Sequence, residues 1–179
     1  QDSSWAFTVD SVEYNQLIKE NENLIEANAS LKAEIKLEEN ASENVQFISE
    51  DYHSTFTFSL DEINDPAFAF RQNAGPLHFM AQILSFFHPQ VGMDIYLHSG
   101  SPAGAGLGGS SSMGVTLYKS LCEFFKKPFD RAQAVKTVQN IEGRILNSGI
   151  PGYQDYYPAL YGGILALTPK VSGVEVEQL

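Results

Sequence analysis

The sequence predicts a mixed α/β domain in which helices cover one face of a sheet. Three observations lead there. Apolar and polar residues alternate over 31–38 and again over 91–98, the period of a half-buried strand. Apolar residues recur at helical spacing in Met113, Leu117, Leu121 and Phe124, and in Val135, Val138, Ile141 and Ile145. A glycine- and serine-rich stretch, residues 99–112, joins the second of those strands to the first of those helices. Strands and helices interleaved in this way over 179 residues fit one ordinary domain built in layers.

Taken in order, the chain opens with a polar segment, residues 12–28, carrying Leu17 and Leu24, with Leu31 following at the same seven-residue spacing. That falls short of the three to four heptads of a coiled coil, and Asn21 and Asn28 would occupy its other core position. A short helix or an irregular surface segment is the expectation for residues 1–30. From Leu31 the period becomes two: Leu31, Ala33, Ile35 and Leu37 alternate with Lys32, Glu34, Lys36 and Glu38. Residues 45–49 and 55–60 read as two further strands of an antiparallel meander. Gly75-Pro76 breaks or starts a helix, and Leu77, Met80, Ala81 and Leu84 give it an apolar face. Val91, Met93, Ile95 and Leu97 mark the next strand. Asp130 with Gln133 three residues on reads as a variant capping box opening the helix through Ile145. A loop from Asn147 to Tyr157 and a strand pair, residues 163–167 and 174–177, complete the pattern.

Composition narrows the function. No apolar run reaches the ~18 residues of a membrane span. One cysteine, Cys122, makes no internal disulfide, and four histidines show no ligand spacing for structural zinc. With no secretory signal visible, the cytoplasm is the expected compartment. The net charge of −11 opposes nucleic-acid binding, which depends on neutralising phosphates. Residues 1–60 hold 3 Lys and Arg against 12 Asp and Glu, whereas residues 61–179 hold 8 against 10. An anionic ligand is therefore compatible with the later part of the chain.

The segment Pro102-Ala-Gly104-Ala105-Gly106-Leu107-Gly108-Gly109-Ser110-Ser111-Ser112 carries the chemistry. Its glycines allow close backbone approach, and the helix that follows offers unpaired N–H groups and a positive dipole end, so the pair suits a phosphate without needing Lys or Arg. A hydroxyl at Ser110 or Ser111 could also ligate Mg²⁺. A Walker A loop is excluded because no Lys follows the glycines. The literal G-x-G-x-x-G from Gly104 to Gly109 lacks the second strand of a dinucleotide fold, since Leu121 to Lys127 continues a helix.

The string P-x-G-x-G-L-G-x-S-S strongly resembles the ATP-binding motif of the GHMP kinases, which include galactokinase, homoserine kinase, mevalonate kinase and phosphomevalonate kinase. It departs from that motif at Gly109, where the family often has Ser. Glu142 in a helix, then Pro151-Gly-Tyr-Gln-Asp155-Tyr-Tyr and Tyr161-Gly-Gly163, resembles the family's downstream block, in wording most similar to the heptose-phosphate, fucose and galactose kinase branch. The resemblance covers about residues 91–168 and extends to the strand at 31–38.

It implies a ribosomal protein S5 domain 2-like sandwich over residues 31–179, with residues 1–30 as an acidic segment and the C-terminal domain of the family absent from this chain. It also implies ATP and Mg²⁺ as cofactors and a small hydroxylated substrate, a sugar or sugar phosphate. Pro102, Gly104, Ala105, Gly106, Leu107, Gly108, Gly109, Ser110, Ser111 and Ser112 would bind the ATP phosphates. Ser110 and Glu142 would hold the metal, and Asp155 would orient or deprotonate the acceptor hydroxyl. The acceptor-binding motif normally found before the first strand is not visible in residues 1–30. The expected function is the ATP-binding half of a small-molecule kinase, inactive alone. The other readings are a non-kinase relative (a diphosphomevalonate-decarboxylase-like lyase or an ATP-binding pseudoenzyme) and an interaction module built on residues 12–31.

Overall fold

A computed structural model describes residues 33–71, 77–100, 108–146, 149, 151–171 and 173–179. The leucine-spaced segment, Leu31, Gly75-Pro76 and residues 101–107 lie outside them. Strands β1 (Glu34–Glu39), β2 (Asn44–Ser49) and β3 (Ser54–Ser59) come first. Helix α1 (Leu60–Asn64), a 3₁₀ turn (Pro66–Phe70) and α2 (His78–Phe87) follow. Then come β4 (Met93–His98), α3 (Gly109–Phe124), α4 (Arg131–Leu146), α5 (Tyr156–Tyr161), β5 (Leu165–Lys170) and β6 (Gly173–Gln178).

The first four strands form one mixed sheet in the order β1-β4-β2-β3. The expected meander is thus corrected: β4 enters between β1 and β2, antiparallel to the first and parallel to the second. The reason is burial. Met93, Ile95 and Leu97 of β4 are each at most 1% exposed, which suits a central strand, whereas β1 carries four charged residues and suits an edge. The connection from β1 to β2 crosses the start of β4 and is held there: Asn40 N–H donates to the Gly92 carbonyl at 3.0 Å and its side-chain amide to Asp94 at 2.6 Å.

Register carries the alternation across the sheet. Leu37 faces Ile95, Ile95 faces Phe47 and Phe47 faces Phe56, all on one side. Glu34, Lys36 and Glu38 with Gln46, Asp94 and Tyr96 line the other, so a single face is covered, as the pattern of residues predicts. The helices lie on the apolar face. Helix α2 is buried nearly all round, only Phe86 being largely exposed, because α1, α3 and α4 pack about it. Gln82 ties it to the preceding turn by donating to the carbonyls of Phe68 and Ala69.

The caps read from the sequence are in place at α4, where the Asp130 carboxylate accepts from Gln133 N–H at 2.7 Å. Two boundaries differ. Helix α3 starts at Gly109, four residues before the apolar periodicity begins, and the loop expected to run through Tyr157 gives way to α5 at Tyr156. Strands β5 and β6 form a separate two-stranded sheet whose Leu165, Leu167, Val174 and Val176 pack on the core.

Candidate active site

Helix α3 begins where the glycine stretch ends. Its cap, Gly108, has φ 70° and ψ 16°, a left-handed conformation that costs other residues about 1–2 kcal/mol. A methyl group at Gly108 would also lie 2.9 Å from Asp155 Cβ and 3.0 Å from its Cγ, so glycine here both turns the chain and admits Asp155 alongside. Among the described residues, Ser112 N–H is the first to find a helical acceptor, the Gly108 carbonyl at 2.9 Å. The amides of Gly109, Ser110 and Ser111 therefore precede the helical ladder and share the positive end of a 16-residue helix.

Glu142 reaches this helix start from α4. Its Oε1 accepts from Ser110 Oγ at 2.9 Å and its Oε2 from Ser111 Oγ at 3.4 Å and from the Tyr156 hydroxyl. The approach of the two helices makes this possible. Gly114 lies one turn beyond Ser110 and Val138 one turn before Glu142, and a methyl on Gly114 would come within 2.8 Å of Val138 Cγ1. Only 9% of Glu142 is exposed, and no ion pair among the described residues involves it. A buried carboxylate costs several kcal/mol to desolvate, and the donors it meets among the described residues are three neutral hydroxyls. That is an electrostatic invitation to a cation.

Asp155 is exposed and stands at the cap position of α5, yet its side chain makes no capping hydrogen bond. An ordinary helix-capping aspartate is thus not what the geometry shows; the carboxylate lies against Gly108 instead. Consecutive residues tie the parts together, since Tyr156 bonds Glu142 while Asp155 touches the loop's end.

Of the residues singled out in the sequence, Gly108, Gly109, Ser110, Ser111, Ser112, Glu142 and Asp155 come together around the start of α3. Pro102, Gly104, Ala105, Gly106 and Leu107 lie outside the described residues. Two residues escaped the sequence reading. Tyr156 read as core or wall, and nothing in its spacing announces a partner. Asp51, in the turn after β2, accepts from Ser99 N–H at 2.8 Å and so anchors the beginning of the glycine stretch. A polar hollow bounded by Glu39, Glu43, Asp61 and Gly92 lies at the opposite end of β4 and includes none of the site residues.

Residues 76–163 match the family described as GHMP kinases N terminal domain. The chain carries a GHMP kinase N-terminal domain. A curated relative, the D-glycero-alpha-D-manno-heptose 7-phosphate kinase of Campylobacter jejuni, is 31% identical over 81 residues, 45% of this chain and 24% of its own length. Among solved structures, the Methanococcus jannaschii mevalonate kinase superposes with a TM-score of 0.66 at 19% identity, over 82% of this chain and 45% of its own. The Lactococcus lactis galactokinase, solved with galactose, superposes with a TM-score of 0.65 at 16% identity, over 82% of this chain and 38% of its own. These likenesses establish the GHMP fold, and the chain spans less than half the length of each relative. No helix among the described residues is long and apolar enough to cross a membrane.

The oxygen donors at the start of α3 fit the divalent magnesium that the GHMP family implies. Ser110 Oγ and Glu142 Oε1 are neighbouring hard ligands, and the carboxylate is buried with no cationic partner among the described residues. The same burial raises the Tyr156 phenol far above its usual value, with the Glu142 bond adding to the effect, and burial also raises Tyr118 and Tyr157. These three phenols favour the neutral form in the folded protein, so their contribution to stability is complete below the ordinary phenol pKa of about 10 and is lost as pH climbs beyond it. Spectrophotometric titration of the eight tyrosines should therefore show a late-ionising class that appears together with alkaline unfolding. Smooth ionisation of all eight near the ordinary value, in folded protein, is the contrary result.

Proposed function

We propose that the chain is the ATP-binding half of a small-molecule kinase that moves the γ-phosphate of ATP to a hydroxyl of a sugar or sugar phosphate. The observation that carries this reading is the buried Glu142 carboxylate, paired with Ser110 at the amide-rich start of α3 and flanked by Asp155 at Gly108. A sugar-type acceptor is supported by the likeness to the heptose 7-phosphate kinase.

Phosphoryl transfer depends on positioning and charge neutralisation more than on covalent catalysis. The ATP phosphates are assigned to Pro102, Gly104, Ala105, Gly106, Leu107, Gly108, Gly109, Ser110, Ser111 and Ser112, with the backbone amides from Gly106 to Ser111 as the main donors. Ser110 and Glu142 hold Mg²⁺, which when bound offsets phosphate charge. Asp155, exposed and free of a capping role, accepts the proton of the acceptor hydroxyl or orients it. Residues 31–179 serve as the nucleotide-binding domain.

Calorimetry with a non-hydrolysable ATP analogue tests the reading. Binding should require Mg²⁺ and weaken by roughly 10–100-fold in Ser110→Ala, the usual range for losing a metal-site contact. Absence of binding in both this chain and a parent with both flanking regions sinks the proposal. In that parent, ADP release should respond to heptose phosphates or galactose-type sugars and not to isoprenoid acceptors.

A further inference from the structure

We propose that Tyr156 is a positioning residue that ties up Glu142 Oε2, so that the carboxylate meets a divalent cation through Oε1 alone and the site favours a small six-coordinate cation over calcium. This rests on the nucleotide–metal reading above.

The two oxygens of Glu142 sit in different surroundings. Oε2 receives two donors, the Tyr156 hydroxyl and Ser111 Oγ, and both residues are buried, at 0% and 7% exposure. Among the described residues Oε1 receives one donor, Ser110 Oγ, and Ser110 is exposed. Among the described residues, buried donors therefore occupy one oxygen of the carboxylate, while the other is met by the exposed Ser110 at the start of α3. A fully buried phenol needs an acceptor, and among the described residues the Tyr156 hydroxyl donates to Glu142, with Ser111 beside them both, so turning either group away costs a buried hydrogen bond.

Cation choice follows from how many oxygens the carboxylate can lend. Calcium takes six to eight oxygen ligands in flexible shells and often uses a carboxylate through both oxygens. Magnesium holds a tight octahedron, keeps several waters, and is satisfied by one carboxylate oxygen plus substrate phosphates. Locking Oε2 into hydrogen bonds withholds the second oxygen. Removing the phenol hydroxyl releases it, apart from the longer bond to Ser111.

Calorimetry of the ATP analogue with Mg²⁺ and separately with Ca²⁺, on wild type and Tyr156→Phe, tests the proposal. The wild type should prefer the magnesium complex, and the preference should narrow by roughly tenfold in the variant, as expected for removal of a group that orients a metal ligand. An unchanged ratio in a variant that still binds overturns the proposal and leaves the nucleotide reading standing. A wild type that binds neither complex overturns both. Because loss of a buried hydrogen bond could unfold Tyr156→Phe, a measurement on the wild type stands beside it. Anomalous scattering from Mn²⁺ in crystals with the analogue should show one Glu142 oxygen in the coordination sphere, and two would overturn the proposal.

Discussion

Asp155→Asn should lower phosphoryl transfer by about 10²–10⁴-fold, the usual worth of a positioned general base, while analogue affinity and melting temperature stay close to wild type. The separation of these effects follows from geometry. Asparagine keeps the shape that fits beside Gly108 but cannot take up a proton from a hydroxyl. Asp155 makes no capping hydrogen bond to α5 and is exposed, so the helix loses nothing that the substitution removes. The removed charge does not aid phosphate binding, and nucleotide affinity has no reason to fall. Parallel measurement of kcat, of analogue binding and of thermal melting checks all three. Full turnover in Asp155→Asn with a responsive sugar acceptor would place the base elsewhere. A fall in melting temperature of several degrees would return Asp155 to an architectural role.

The sequence revealed the parts of this site that depend on local rules and concealed those that depend on where distant segments meet. Period-two alternation identified β1 and β4, and the residue order Asp130 to Gln133 identified the start of α4, because strands and caps are decided within a few residues. Gly108 was legible because a left-handed φ of 70° and the close approach of Asp155 leave few residue choices. The sheet order was not legible. Nothing in residues 34–49 says that β4, some fifty residues later, comes between β1 and β2; that choice is made by the burial of Met93, Ile95 and Leu97. Tyr156 was obscured for a related reason. An aromatic beside Tyr157 reads as core, and 0% exposure agrees, but its hydroxyl gains meaning only after α4 brings in Glu142. Helix α5 was missed because six residues containing Pro158 show no helical period, proline being tolerated in a first turn.

Gly114→Val should both destabilise the domain and weaken metal-dependent nucleotide binding, although residue 114 is a full turn from Ser110. The first added carbon would fall 2.8 Å from Val138 Cγ1 and 2.9 Å from Phe79 Cε1, below any normal contact. Neither neighbour can yield easily, since Val138 is fully buried and Phe79 is 9% exposed in the helix layer. Two effects compete when the side chain grows. Alanine gains about 1 kcal/mol of helix propensity over glycine, whereas overpacking a core costs about 1–3 kcal/mol. Gly114→Ala should therefore change stability little or lower it modestly. Valine adds two methyl groups and forfeits part of the propensity gain through its branched Cβ, so the steric cost dominates. A domain of this size should lose roughly 2–4 °C of melting temperature per kcal/mol. Relief of the clash requires α3 and α4 to separate, and the same separation opens the 2.9 Å contact between Ser110 and Glu142. Melting curves and analogue calorimetry on the glycine, alanine and valine forms should fall in that order in both properties. A stable valine form with undiminished Mg²⁺-dependent binding would show that the spacing of the two helices does not set the metal pair.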